Sequence, residues 1–308
     1  MFKHLHFYSL VVLSLLLVAC NKEKTLYKQL YKDSQEITQK IIDCGPRTVN
    51  SPGHKKVQDY IETYLKQHQI ALEKLTFTAD TPKGPIPMTN LRYKIAGQQA
   101  KYPSILLSAH YDSKIFAGKE FLGVNDAATS VALILALTPI IQKLDLPYVV
   151  EVVFFDGEEA IVEWVGKDNL YGSRHFAMNH VPSAKIAYAI LLDMISDKDL
   201  NLVRAHASDP SLSALYKKVL TDMQWEHVLD KKLSFIQDDH LSLIRAGIPT
   251  LLIMDFSFGG PSAPGTFWHT EQDNLENVSF ENTAKVGQVV LRMLDHFKNN
   301  MGQQAAKP

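Results

Sequence analysis

Short apolar runs of strand length alternate with helix-spaced apolar patterns along most of this chain, and few folds satisfy that order. Leu72 to Thr78, Leu91 to Ile95, Ile105 to Ser108, Val149 to Phe155, Ile186 to Leu192 and Thr250 to Met254 read as strands. Between and around them, 26–43, 54–68, 127–142, 171–179, 209–225, 239–246 and 279–298 carry apolar residues at helical spacing, as in Leu26, Leu30, Ile37 and Ile41. Turn-rich stretches separate these elements at Gly45-Pro46 to Pro52-Gly53, at 82–85 and at 257–266. The order predicts an α/β fold: three α/β/α layers around a central mixed, mostly parallel sheet. Active sites of such sheets gather at the carboxyl ends of the strands. Composition excludes the special classes, because 46% hydrophobic residues with 15 Gly, 14 Pro and two Cys suit neither collagen, disorder nor a disulfide miniprotein. A net charge of −1 leaves no basic footprint for nucleic acid.

The amino terminus has its own logic. Lys3 and the histidines at 4 and 6 precede an apolar run from Phe7 to Ala19, too short to cross a bilayer, followed by Cys20. Residues 1–19 are expected to be an export signal. Leu17-Val18-Ala19-Cys20 resembles a bacterial lipobox, which implies a lipidated Cys20 and a tether over 20–25 holding the chain to the cell envelope. The catalytic domain is then 26–298 and the tail 299–308. Cys44 is left without a partner and is expected to be buried beside the first helix of that domain.

Chemistry-bearing residues stand where the strands end. Ser108-Ala109-His110-Tyr111-Asp112 closes one strand, and Asn125-Asp126 opens the helix that follows. Phe155-Asp156-Gly157-Glu158-Glu159 and Leu192-Asp193 close two more, and Trp268-His269-Thr270 follows the last. Any one of these is ordinary turn or cap chemistry, and Asp126 alone is a plausible helix cap. Five imidazole and carboxylate groups (His110, Asp126, Glu159, Asp193, His269) at one sheet edge instead suit a zinc site with an open position. In an extended segment, Glu158 and Glu159 point opposite ways, one to a metal and one to substrate.

This series resembles the metal-ligand set of the M28 zinc aminopeptidases. Longer motifs narrow the match: His-Tyr-Asp-Ser-Lys at 110–114, Phe-Phe-Asp-Gly-Glu-Glu-Ala at 154–160 with Trp164, and Leu-Tyr-Gly-Ser-Arg-His at 170–175. With Gln-Asp-Asp-His at 237–240 and Trp-His-Thr at 268–270, they resemble the animal-type glutaminyl cyclases, single-zinc enzymes of the same fold. The resemblance implies Asp126, Glu159 and His269 as ligands of one zinc and Glu158 as general acid/base. It implies Asp193 and Asp238 as a hydrogen-bonded acidic pair, and Trp164, Gln237 and Trp268 as substrate contacts. The implied substrates are peptides or proteins beginning with Gln, or with Glu by related chemistry, and the implied enzyme is a monomer. Cyclisation needs a neutral α-amine, a polarised γ-carbonyl and a pocket that holds one conformer.

Two alternatives are defined by the same residues. His110 and Asp193 are the groups a second metal would use, which keeps a dizinc aminopeptidase open, whereas Lys114, Trp164 and 237–240 favour the cyclase. A binding protein that kept the fold and lost the chemistry would be expected to lack a ligand or Glu158, and this chain has them all. The disulfide that the animal enzymes carry near the first histidine has no counterpart here, since Ala109 precedes His110 and no cysteine follows Cys44.

Overall fold

The computed structural model describes residues 2–95, 102–116, 118–181 and 185–304; side chains of 2–20, 22 and 300–304 lie outside the described residues. Two helices, α1 (Phe2–Ile42) and α2 (Pro52–Gln67), lead into a hairpin of β1 (Glu73–Thr81) and β2 (Gly84–Ile95). Then come β3 (Ser104–His110), α3 (Thr129–Ile141), β4 (Val150–Phe155), α4 (Tyr171–Asn179), β5 (Ile186–Asp193) and β6 (Leu202–Ala205). The chain ends with α5 (Pro210–Asp222), β7 (Leu229–Ser234), α6 (His240–Arg245), β8 (Thr250–Met254) and α7 (Phe280–Gln304).

Six strands form one mixed sheet in the order β1-β2-β4-β3-β5-β8. The hairpin is antiparallel and joins β4 antiparallel, while β4, β3, β5 and β8 run parallel. Four strand ends therefore open on one edge, as the alternation of strands and helices requires. The parallel strands are buried on both faces, which explains their largely apolar sequences; the one charge inside β4, Glu151, is paired with Arg92. Side-chain alternation splits them between two cores: Ile105, Leu107, Val152 and Phe154 face the layer of α1, α2, α3, α5 and α7. Leu106, Val153 and Phe155 face Phe176 of α4 and Leu243 of α6. The stretch Val124–Ile141 is long and apolar enough to cross a membrane by composition, but 89% of it is buried inside the fold. It is the central core helix.

Four expectations are corrected. The first concerns the tether, because α1 runs unbroken through Asn21–Thr25; Lys22, Glu23 and Lys24 are good helix formers, and Glu23 pairs with Arg292 of α7. Second, α7 continues through 299–304, so most of the expected tail is helical, and 305–308 lie outside the described residues. Third, Cys44 is half-buried, its thiol donating to the Lys40 carbonyl at 3.3 Å. Fourth, the hairpin reaches further than its Pro-Lys-Gly-Pro loop suggested, closing at Pro82-Lys83 with Thr81 opposite Gly84. Pro85 and Pro87 are tolerated because β2 pairs with β4 only over Leu91–Ile95. A separate two-stranded parallel sheet, β6 with β7, was not anticipated. The expected signal and the lipobox fall on residues 1–20, whose side chains lie outside the described residues.

Candidate active site

Each strand of the parallel set delivers one piece of the site. β3 ends on His110, and two residues later the fully buried Asp112 accepts the backbone N–H groups of Glu158 (3.1 Å) and Glu159 (3.2 Å). These two bonds hold the segment after β4, which turns at Gly157 with φ +62°; a Cβ there would stand 2.6 Å from Met88 Sδ. Beyond this turn Glu158 and Glu159 both line one cavity, and it is Glu159 that joins Asp126 and His269 in a trio able to hold a metal. β5 ends on Asp193 and β8 on Met254, which lines the same space. Asp126 sits in a π-type turn, Val124–Ala128, ahead of α3, and its carboxylate does not cap that helix.

The cavity has a volume of about 320 Å³. The nine residues to which the cyclase resemblance gives a role all line it (Asp126, Glu158, Glu159, Trp164, Asp193, Gln237, Asp238, Trp268 and His269), whereas His110 and Lys114 do not. Phe235, Ile236, Met254 and Phe256 complete the wall and were not anticipated, since isolated apolar residues carry no sequence signal of a pocket. Phe235 is 84% exposed at the rim, its ring stacked on His206 at 4.5 Å.

Its floor is a knot of imidazoles and carboxylates. His269 Nε2 lies 2.8 Å from Glu159 Oε1 and 3.3 Å from Asp126 Oδ2. Trp268 stacks on the same imidazole at 3.8 Å, and Phe116 and Phe121 meet it edge-on. Behind it, His110 Nε2 stands 3.1 Å from Asp126 Oδ1 and 3.4 Å from Asp193 Oδ1. Among the described residues, neither His110 nitrogen has a hydrogen-bonded partner and neither does Asp193 Oδ1. Lys114 Nζ approaches Glu159 Oε2 at 3.4 Å.

Such a knot fits a cation. Asp126, Glu159 and His269 each offer a ligand atom, all within 4.8 Å of one another, and His110, Asp126 and Asp193 form a second such trio sharing Asp126. Buried imidazole and carboxylate atoms without hydrogen-bonded partners are costly unless something coordinates them. Without a metal, protons do that work: burial opposes charge on His269, but Glu159 and Asp126 outweigh it and carry its pKa up to about 9.

Glu158 is different in character. It is only 6% exposed, and burial raises its pKa well above the carboxylate range; His110 pulls it down, while Glu159, Asp238 and Asp239 push it up further. A buried carboxyl whose surroundings favour its protonated form suits proton exchange with substrate. Asp238 is raised for similar reasons, by burial and then by Asp193 and Asp239. Asp193 lines the same cavity beside Asp238, whose Oδ1 accepts the Asp239 N–H.

The model of peptidase family M28 matches residues 90–294, the span that builds every wall of this site. The chain belongs to peptidase family M28. Among its relatives within that family, glutaminyl-peptide cyclotransferase of Drosophila melanogaster is 28% identical over 274 residues, covering 80% of this chain and 75% of its own length. The crystal structure of an Acidobacteriales bacterium glutaminyl cyclase superposes with a TM-score of 0.82 at 31% identity, over 88% of this chain and 95% of that one. A Zn-dependent exopeptidase of Parabacteroides distasonis has a TM-score of 0.77 at 21% identity, over 86% and 97% of the two chains, a likeness of fold alone.

Proposed function

We propose that this M28 chain is a glutaminyl cyclase, converting the N-terminal glutamine of peptides or proteins to pyroglutamate with release of ammonia. The observation that carries the reading is the cavity: about 320 Å³, walled by Trp164 and Trp268, with Glu158 at its floor. Rigid aromatic walls of this kind limit the conformations of a bound side chain, the requirement of an intramolecular reaction. The likeness to the glutaminyl cyclase at 31% identity supports the same reading.

The reaction forms a bond between the substrate's α-nitrogen and its own γ-carbonyl carbon and breaks the bond from that carbon to the amide nitrogen. Glu158 takes the proton that the attacking amine must lose and returns one to the departing nitrogen, so no net proton is gained or lost. Trp164 and Trp268 hold the glutamine chain folded on itself, and Asp193 and Asp238 place acidic groups for the amino terminus. Asp126, Glu159 and His269 would hold one zinc, whose Lewis acidity favours the charge that develops on a carbonyl oxygen.

One observation favours a second reading. The trio of His110, Asp126 and Asp193 offers room for another metal, as a dizinc aminopeptidase would need. Purified residues 21–308 given a Gln-initiated and a Leu-initiated peptide separate the two: pyroglutamyl product from the first with the second intact is expected. Release of free Leu would favour the aminopeptidase. We also propose that the mature protein begins at a lipidated Cys20 and works as a monomer anchored to the bacterial cell envelope, facing the periplasm or the cell surface. The Leu-Val-Ala-Cys sequence at 17–20 supports the anchor.

A further inference from the structure

Three buried carboxylates of this fold do the same unusual thing: each accepts several successive backbone N–H groups of a loop. Asp112 holds Glu158 and Glu159; Asp168 holds Ile161 (3.0 Å), Val162 (2.8 Å) and Glu163 (2.9 Å). Asp273, only 2% exposed, holds Asn125 (2.6 Å) and Asp126 (3.1 Å). Two of the three thus grip a residue of the Asp126, Glu159 and His269 trio. The third grips the loop that carries Trp164.

One cation lies between the two ligand clamps. Arg47, from the connection between α1 and α2, is fully buried, and its charge is felt by Asp273, Asp112 and Asp126. Among the described residues its guanidinium makes no ion pair. It spends its donors on carbonyls: Nε on Tyr111 O (3.0 Å), Nη1 on Leu122 O (2.5 Å) and Nη2 on Gly123 O (2.9 Å). Its backbone exchanges hydrogen bonds with Ser113, N–H to Oγ at 2.9 Å and carbonyl from N–H at 3.2 Å. Arg47 therefore ties the end of β3, which carries Asp112, to the arm that leads into Asp126. At that arm Gly123 has φ +54°, and a Cβ would fall 2.0 Å from the Asp126 carbonyl oxygen, so side-chain bulk cannot set the turn. Hydrogen bonds must.

We propose that Arg47 and Asp273 are positioning residues for the metal: they fix the Asp126 turn against the Glu159 loop, so that the ligand trio stands assembled before a cation arrives. The inference rests on the zinc reading of the trio. A planar five-donor fork suits this role, since one side chain spans three carbonyls on two segments while its charge offsets the carboxylates around it. Neither residue touches substrate.

The test is zinc affinity, read by competition with a chromogenic chelator, beside the thermal stability of the metal-free chain. Asp273→Asn keeps the shape but turns an amide N–H against a backbone N–H. It is expected to weaken zinc binding about 10- to 100-fold, the range for outer-shell groups at metal sites. Arg47→Lys, which keeps the charge and loses the fork, is expected to weaken it in the same direction. Asp168→Asn makes the same chemical change at a clamp with no metal ligand; it should lower the melting temperature and leave zinc affinity within about threefold of the parent, since it touches no outer-shell contact. Asp273→Asn binding zinc as the parent does, or Asp168→Asn losing as much affinity, would overturn the proposal. A parent chain that binds no zinc would instead remove the reading on which it stands.

Discussion

Glu158→Gln separates chemistry from metal binding and from folding. Its backbone is fixed without help from its side chain: the N–H is held by Asp112 at 3.1 Å, and the carbonyl accepts Leu170 N at 2.8 Å. The isosteric amide therefore leaves Glu159 in place, and zinc stoichiometry should not change. Turnover should fall about 10²- to 10⁴-fold, the usual contribution of a positioned acid/base, or about 3–5 kcal/mol of barrier. Stability should move the other way. The carboxyl has a raised pKa in the folded chain because of burial and its acidic neighbours, so its contribution to stability is full below the unfolded value and is lost as pH rises through the folded one. The amide has no such loss, so the metal-free variant should be more heat-stable than its parent at neutral to alkaline pH. Ammonia release at saturating Gln-peptide, a zinc assay and thermal melts of the metal-free chains read the three quantities. A variant keeping more than about a tenth of parental turnover would remove Glu158 from the proton transfers, since general acid/base catalysis contributes more than that.

Zinc affinity should depend on pH. His269 of the metal-free chain holds its proton up to about pH 9, and coordination must displace it. Binding should tighten about tenfold per pH unit from 7 to 9 and level off above that, as one displaced proton requires. A flat profile would contradict the assignment of His269, whereas a slope near two would mean that His110 is deprotonated as well. Cys20→Ser in the full-length chain should move the protein from the detergent phase to the aqueous phase on cloud-point partition; unchanged partition would exclude lipidation at Cys20.

The residues that carry chemistry were legible because they follow strands that advertise themselves. Ile186 to Leu192 is a continuous apolar run and Val149 to Phe155 is broken by Glu151 alone, so Glu158, Glu159 and Asp193 could be placed at one sheet edge without any structure. β7 could not be found this way, because Leu-Asp-Lys-Lys-Leu-Ser has two adjacent lysines and pairs only with the short β6. Its strand character comes from tertiary context. The positioning layer was less legible still. Arg47 lies 64 to 76 residues from the carbonyls its side chain binds, and those acceptors are backbone atoms, which leave no mark on the sequence. Asp112 did have a signal, standing two residues beyond His110 in the same motif, but its partners are the N–H groups of a different strand's loop.

The central claim is that the substrate's own amine, not water, attacks the carbonyl. Mass spectrometry of a Gln-initiated peptide turned over in ¹⁸O-enriched water measures this directly. The expected product is full-length, has lost one ammonia and carries no ¹⁸O, with one ammonia released per peptide. A product shortened by its first residue, with ¹⁸O in the liberated carboxyl group, would contradict it.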